Sequence, residues 1–97
     1  MTKNEKREHG DVLYEAILTL KDLDECKKFF SDLCTVAELR AMEQRFEVAM
    51  LLSDGMIYND ILERTGASSA TISRVNRALQ YGADGYKAVL PRIKKNG

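Results

Sequence analysis

The sequence predicts an all-α protein, and three observations predict it. Apolar residues recur at helical spacing along almost the whole chain. No stretch alternates apolar with polar residues or collects β-branched side chains as a strand does. The helix punctuation, at Thr35, Gly55, Gly66 and Ser68, falls where the periodicity breaks. With 97 residues, 44% hydrophobic and 31% charged, the chain has the size and balance of a single domain over 1–97.

The first ten residues are charged and lack an apolar stripe, so 1–10 reads as a frayed start and His9 as a solvated side chain. A first helix begins near Asp11, with Leu13, Ala16, Ile17 and Leu20 on one face. A second covers roughly Leu23 to Cys34 through Leu23, Cys26, Phe29, Phe30 and Leu33. Thr35-Val36-Ala37-Glu38 then reads as a capping box: the threonine oxygen takes an early amide and Glu38 reaches back to the cap. The helix it opens runs through Leu39, Met42, Phe46, Ala49 and Met50 to Gly55, which can supply a left-handed stop. Ala41, Val48, Leu51 and Leu52 add a second apolar side. A 97-residue monomer has difficulty covering such a helix, so 11–55 reads as a dimerisation core shared between two copies.

Residues 56–81 carry the functional pattern, a helix-turn-helix. A short helix holding Ile57 and Ile61 runs into Thr65-Gly66-Ala67, with Gly66 where two steeply crossing helices need a positive φ. Ser68 caps the next helix, whose Ile72, Val75 and Leu79 form a packing stripe. At 100° per residue, Ala70, Ser73, Arg74 and Arg77 then point the other way. Small side chains permit close approach to a groove, hydroxyls bond phosphate or base edges, and arginines pair bidentately with guanine. Ser68, Ser69, Ala70, Thr71, Ser73, Arg74 and Arg77 are therefore the candidate DNA-binding residues, and the helix N-terminus adds a place for a phosphate. In 82–97, Asp84 is placed to cap a last short helix carrying Tyr86, Val89, Leu90 and Ile93, in which Pro91 predicts a kink or early stop. Arg92-Ile93-Lys94-Lys95 reads as a frayed basic end or a contact to DNA backbone.

Net charge is zero, which alone argues against a polyanionic partner, but the distribution reverses that reading. Residues 1–63 hold eight Lys/Arg against fourteen Asp/Glu, whereas 64–97 hold seven Lys/Arg against Asp84 alone. The basic end is the candidate contact surface and the acidic end the scaffold. Cys26 and Cys34 lie eight apart with no histidine at ligand spacing, so no metal site follows and both read as small buried hydrophobes. There is no phosphate-cradling glycine loop and no nucleophile, base and acid set; no catalytic residue is expected. No apolar run approaches a membrane span, and no apolar h-region follows the charged start, so the expected location is cytoplasmic.

The stretch from about Leu33 to Leu79 resembles the Trp repressor family, and within it the YerC/YecD type. Three pieces carry the resemblance: Thr35-Val36-Ala37-Glu38-Leu39-Arg40, the run from Arg45 to Gly55 ending LLSDG, and GASSATISR from Gly66 to Arg74. The resemblance implies an intertwined homodimer whose second helix-turn-helix helices enter the major groove about one DNA turn, roughly 34 Å, apart. It also implies a co-repressor pocket in which Thr35 and Arg74 hold a carboxylate and Arg45 and Arg74 sandwich a ring. Two family positions differ: Val75 stands for a glycine and would narrow the ring slot, and Ala78 stands for a serine that assists the ammonium. Those differences count against tryptophan and leave a smaller amino-acid-like ligand, another small ligand or none. From the residues themselves, Thr35 is also explained as a cap and Arg45 as a surface ion-pair partner.

The expected function is a sequence-specific transcriptional regulator, a repressor, binding double-stranded DNA as a homodimer. The alternative is a protein-interaction module on the same scaffold, its basic end facing an acidic partner.

Overall fold

A computed structural model describes residues 9–96, with side chains for 10–93. Among the described residues six helices follow one another: α1 His9–Ile17, α2 Leu23–Leu33, α3 Val36–Ser53, α4 Tyr58–Thr65, α5 Ser69–Tyr81 and α6 Gly85–Asn96. The described residues contain no strand, and none of their helices is long and apolar enough to cross a membrane. The expected fraying of 1–10 falls outside the described residues except for His9 and Gly10, which lie in α1.

The chain forms two compact units, 1–39 and 40–97, dividing within the 11–55 stretch that the sequence groups together. In the first unit, α1 ends at Ile17, one turn before Leu20. Leu18, Thr19 and Leu20 close a turn in which the Thr19 amide and hydroxyl both donate to the Ala16 carbonyl. α2 opens on Asp22, whose carboxylate accepts from the Glu25 amide at 2.8 Å, while Glu25 accepts from the Lys21 amide at 3.0 Å. Phe29 and Phe30 meet edge to face, 5.5 Å apart. Cys26 and Cys34 are free and half-buried, more open than the buried hydrophobes expected. No residue from 10 to 39 is buried, and Leu18, Leu23, Leu33 and Val36 stand exposed.

The second unit has a core drawn from every helix in it: Val48 and Ala49 from α3, Ile61 from α4, Ala67 from the turn, Ile72 and Val75 from α5, and Leu90 from α6. Phe46 of α3 and Tyr86 of α6 pack against it with ring centroids 6.3 Å apart. Of the second apolar side expected on α3, Val48 is buried and Leu51 and Leu52 are half-buried, but Ala41 is exposed. α3 ends in a Schellman motif: the Met56 amide donates to Leu51, the Gly55 amide donates to Leu52, and Gly55 takes φ +90° between them.

α6 begins differently from expectation. Asp84 has φ +69° and its carboxylate pairs with Lys87 at 3.4 Å, so only its backbone carbonyl, accepting from Ala88, starts the helix. Pro91 lies inside α6 without ending it.

Candidate nucleic-acid interface

The capping box that opens α3 forms in full: the Glu38 amide donates to Thr35 Oγ1 at 3.1 Å and the Thr35 amide to Glu38 Oε1 at 2.8 Å. Further along, α4 and α5 form the helix-turn-helix. α4 starts at Tyr58 rather than including Ile57, which is its cap residue and is exposed. α4 closes on Gly66 at φ +73°, ψ 6°, with the Gly66 amide donating to the Leu62 carbonyl at 2.9 Å. That left-handed residue turns the chain sharply, and Ala67, buried, seats the turn on the core. Ser68 then caps α5, its oxygen accepting from the Thr71 amide at 3.1 Å while its hydroxyl donates to Thr71 Oγ1.

Burial of Ile72 and Val75 fixes which way α5 faces. Because both point into the core, Ser69, Ala70, Ser73, Arg74 and Arg77 are exposed on the outer side, together with the cap Ser68. Thr71 differs from these: it is half-buried and its hydroxyl is taken up by the cap. Ala70, Ser73, Arg74 and Arg77 line one concavity of about 250 Å3. Neither Arg74 nor Arg77 has an acidic partner among the described residues. The face thus carries two unneutralised guanidinium groups, flanked by small side chains that leave room for a groove wall.

The three residues matched to a ligand pocket are placed as follows. Thr35 belongs to the first unit and its hydroxyl oxygen is engaged as a cap. Arg45 and Arg74 belong to the second unit. Arg45 is half-buried and has no ion-pair partner among the described residues, which replaces the surface ion-pair reading. Val75, where the family has glycine, is only 2% exposed and committed to the core. Ala78 lines a separate recess of about 400 Å3 with Phe46, Ala83, Gly85, Tyr86 and Val89, almost wholly apolar. No group of three metal-ligating side chains occurs among the described residues.

Sequence reasoning missed Gln44. Its Nε2 donates to the Thr65 carbonyl at 3.2 Å, linking α3 to the end of α4. The Thr65 hydroxyl in turn donates to the Ile61 carbonyl at 2.7 Å and accepts from the Ala67 amide at 3.0 Å. The available signal was the one amide side chain on α3; which carbonyl it meets, 21 residues away, is not written locally.

A profile of the family described as Trp repressor protein matches residues 8–94. The uncharacterized protein YerC of Bacillus subtilis strain 168 is 53% identical over 85 residues, covering 88% of this chain and 82% of that one. A crystal structure of a TrpR-like protein from Eubacterium eligens superposes with a TM-score of 0.86 at 52% identity, covering 95% of each chain. A candidate Trp repressor from Staphylococcus aureus superposes with a TM-score of 0.85 at 45% identity, covering 97% of this chain and 95% of that one.

Proposed function

This chain belongs to the Trp repressor family, whose members are helix-turn-helix DNA-binding regulators and not enzymes, and from that premise we propose that it is a sequence-specific, homodimeric transcriptional repressor. The observation that carries the reading is the outward face of α5, where Arg74 and Arg77 stand exposed beside Ala70 and Ser73 with no acidic partner among the described residues. Backbone contacts from Ser68, Ser69 and Thr71 would set the register, and the arginines would read base edges. Dimerisation is supported by the first unit, in which exposed Leu23, Leu33 and Val36 and the absence of any buried residue from 10 to 39 call for a second surface. Such a regulator works where the chromosome is, in the cytoplasm of a bacterial cell.

The proposal extends to a small amino-acid-like co-repressor met by Arg45 and Arg74 of the second unit. Tryptophan does not suit it: Val75 fills the position of a glycine, and Ala78 offers the ammonium no acceptor.

The test is capture of bound genomic fragments followed by fluorescence anisotropy on the recovered duplexes. Arg74→Ala or Arg77→Ala should weaken specific binding by about 1–3 kcal/mol for each half-site while the protein stays folded. Wild-type affinity should fall steeply with salt as counterions are released. Unchanged affinity in the arginine variants, together with salt-independent binding, would falsify the assignment.

A further inference from the structure

Resting on the DNA-binding reading, we infer that Gln44 is a positioning residue for the reading helix: its amide clamps the turn of the helix-turn-helix and thereby sets where the first turn of α5 lies. The geometry runs through bonds already in place. Gln44 Nε2 donates to the carbonyl of Thr65, the last residue of α4. A carbonyl in the last turn of a helix has no partner within that helix, so an outside donor fixes both its direction and the plane of the peptide that follows. That peptide enters Gly66, the left-handed residue on which the chain swings.

Thr65 carries the constraint onward. Its hydroxyl is held by the Ile61 carbonyl and in turn holds the Ala67 amide, and Ala67 is followed by the Ser68 cap. Gln44, Thr65, Ala67 and Ser68 therefore form one relay from α3 to the end of α5 that carries Ser69 and Ala70. The rest of α5 is held separately, by Ile72 and Val75 in the core. Loss of the Gln44 amide should leave the helix folded and let its leading turn wander.

That division separates positioning from a merely structural role. Attraction to phosphate depends on charge and survives a small displacement, whereas base reading depends on donor placement and does not. Gln44→Met keeps the stem and removes the donor. Thr65→Val keeps the carbonyl and shape but removes the hydroxyl.

The experiment measures, for both full-length variants, the ratio of affinity for the captured duplex to affinity for a random duplex at equal salt, alongside amide hydrogen exchange of residues 65–67. Each variant should lower the ratio about ten-fold, with random-duplex affinity unchanged, and should speed exchange at Gly66 and Ala67 while leaving Ile72 and Val75 protected. The double variant should lose little more than either alone, because both break one relay. An unchanged ratio overturns the inference even if the melting temperature falls, and so does unchanged exchange at Gly66 and Ala67. If wild-type protein binds neither duplex at low salt, the DNA reading has failed instead; the exchange data then still show whether the clamp exists.

Discussion

Replacing Gly66 by alanine isolates the cost of the left-handed turn from every other cost. A non-glycine residue held at this φ and ψ is strained by roughly 1–2 kcal/mol. No heavy atom lies within 4 Å of where its Cβ would sit, so no clash is added. Alanine also restricts the unfolded chain, which returns about 0.4–1 kcal/mol. The net is a loss of about 1 kcal/mol, or roughly 4–8 °C in Tm for a domain of this size. Gly66→Asn should lose less, since asparagine enters the left-handed region more readily. Gly82→Ala is the contrasting case: at φ −83° the backbone is ordinary, but the new Cβ would press into the Ala78 carbonyl, so its loss should exceed that of Gly66→Ala. The assay is thermal unfolding followed by circular dichroism at one fixed protein concentration, because self-association makes Tm depend on concentration. A Gly66→Ala protein as stable as wild type, or an asparagine variant worse than alanine, would refute the account of the turn.

Other outcomes follow from the same geometry. Ser68→Ala removes the cap of α5 and should cost about 0.5–2 kcal/mol, read by urea denaturation; no change would mean that Thr71 finds another partner. Leu33→Glu puts a charge on the exposed apolar side of the first unit and should shift sedimentation from dimer to monomer, whereas a wild-type protein that is already monomeric at micromolar concentration would count against the shared core. A panel of free amino acids should contain one that raises Tm, with tryptophan inactive. A ligand at a hundredfold its Kd stabilises by about 2.7 kcal/mol, so a flat panel would argue for ligand-independent binding.

Local signals in the chain specified the punctuation closely. The Thr35–Glu38 box, the Gly55 stop, the Gly66 turn and the Ser68 cap all form where residue type and spacing place them, because each is a bond between neighbours no more than a few residues apart. The same locality made the buried edge of α5 legible: Ile72 and Val75 are inside, so Arg74 and Arg77 are outside. Asp22 was equally legible in principle, since Asp22-Leu23-Asp24-Glu25 has the cap spacing. The misplaced edges lie where competition decided. α1 stops at Ile17 although Leu20 continues its stripe, because the Ala16 carbonyl is taken by Thr19. Asp84 turns to Lys87 instead of capping α6.

What the sequence determined by itself was the helical order, the caps and the outward chemistry of α5, all set by interactions within a turn or two of chain. Only the tertiary structure decided that Ala78 faces an apolar recess rather than the arginines, and that Gln44 holds the end of α4. Those outcomes depend on which distant surfaces meet, and spacing along a chain records the direction of a side chain without recording what will be there to receive it.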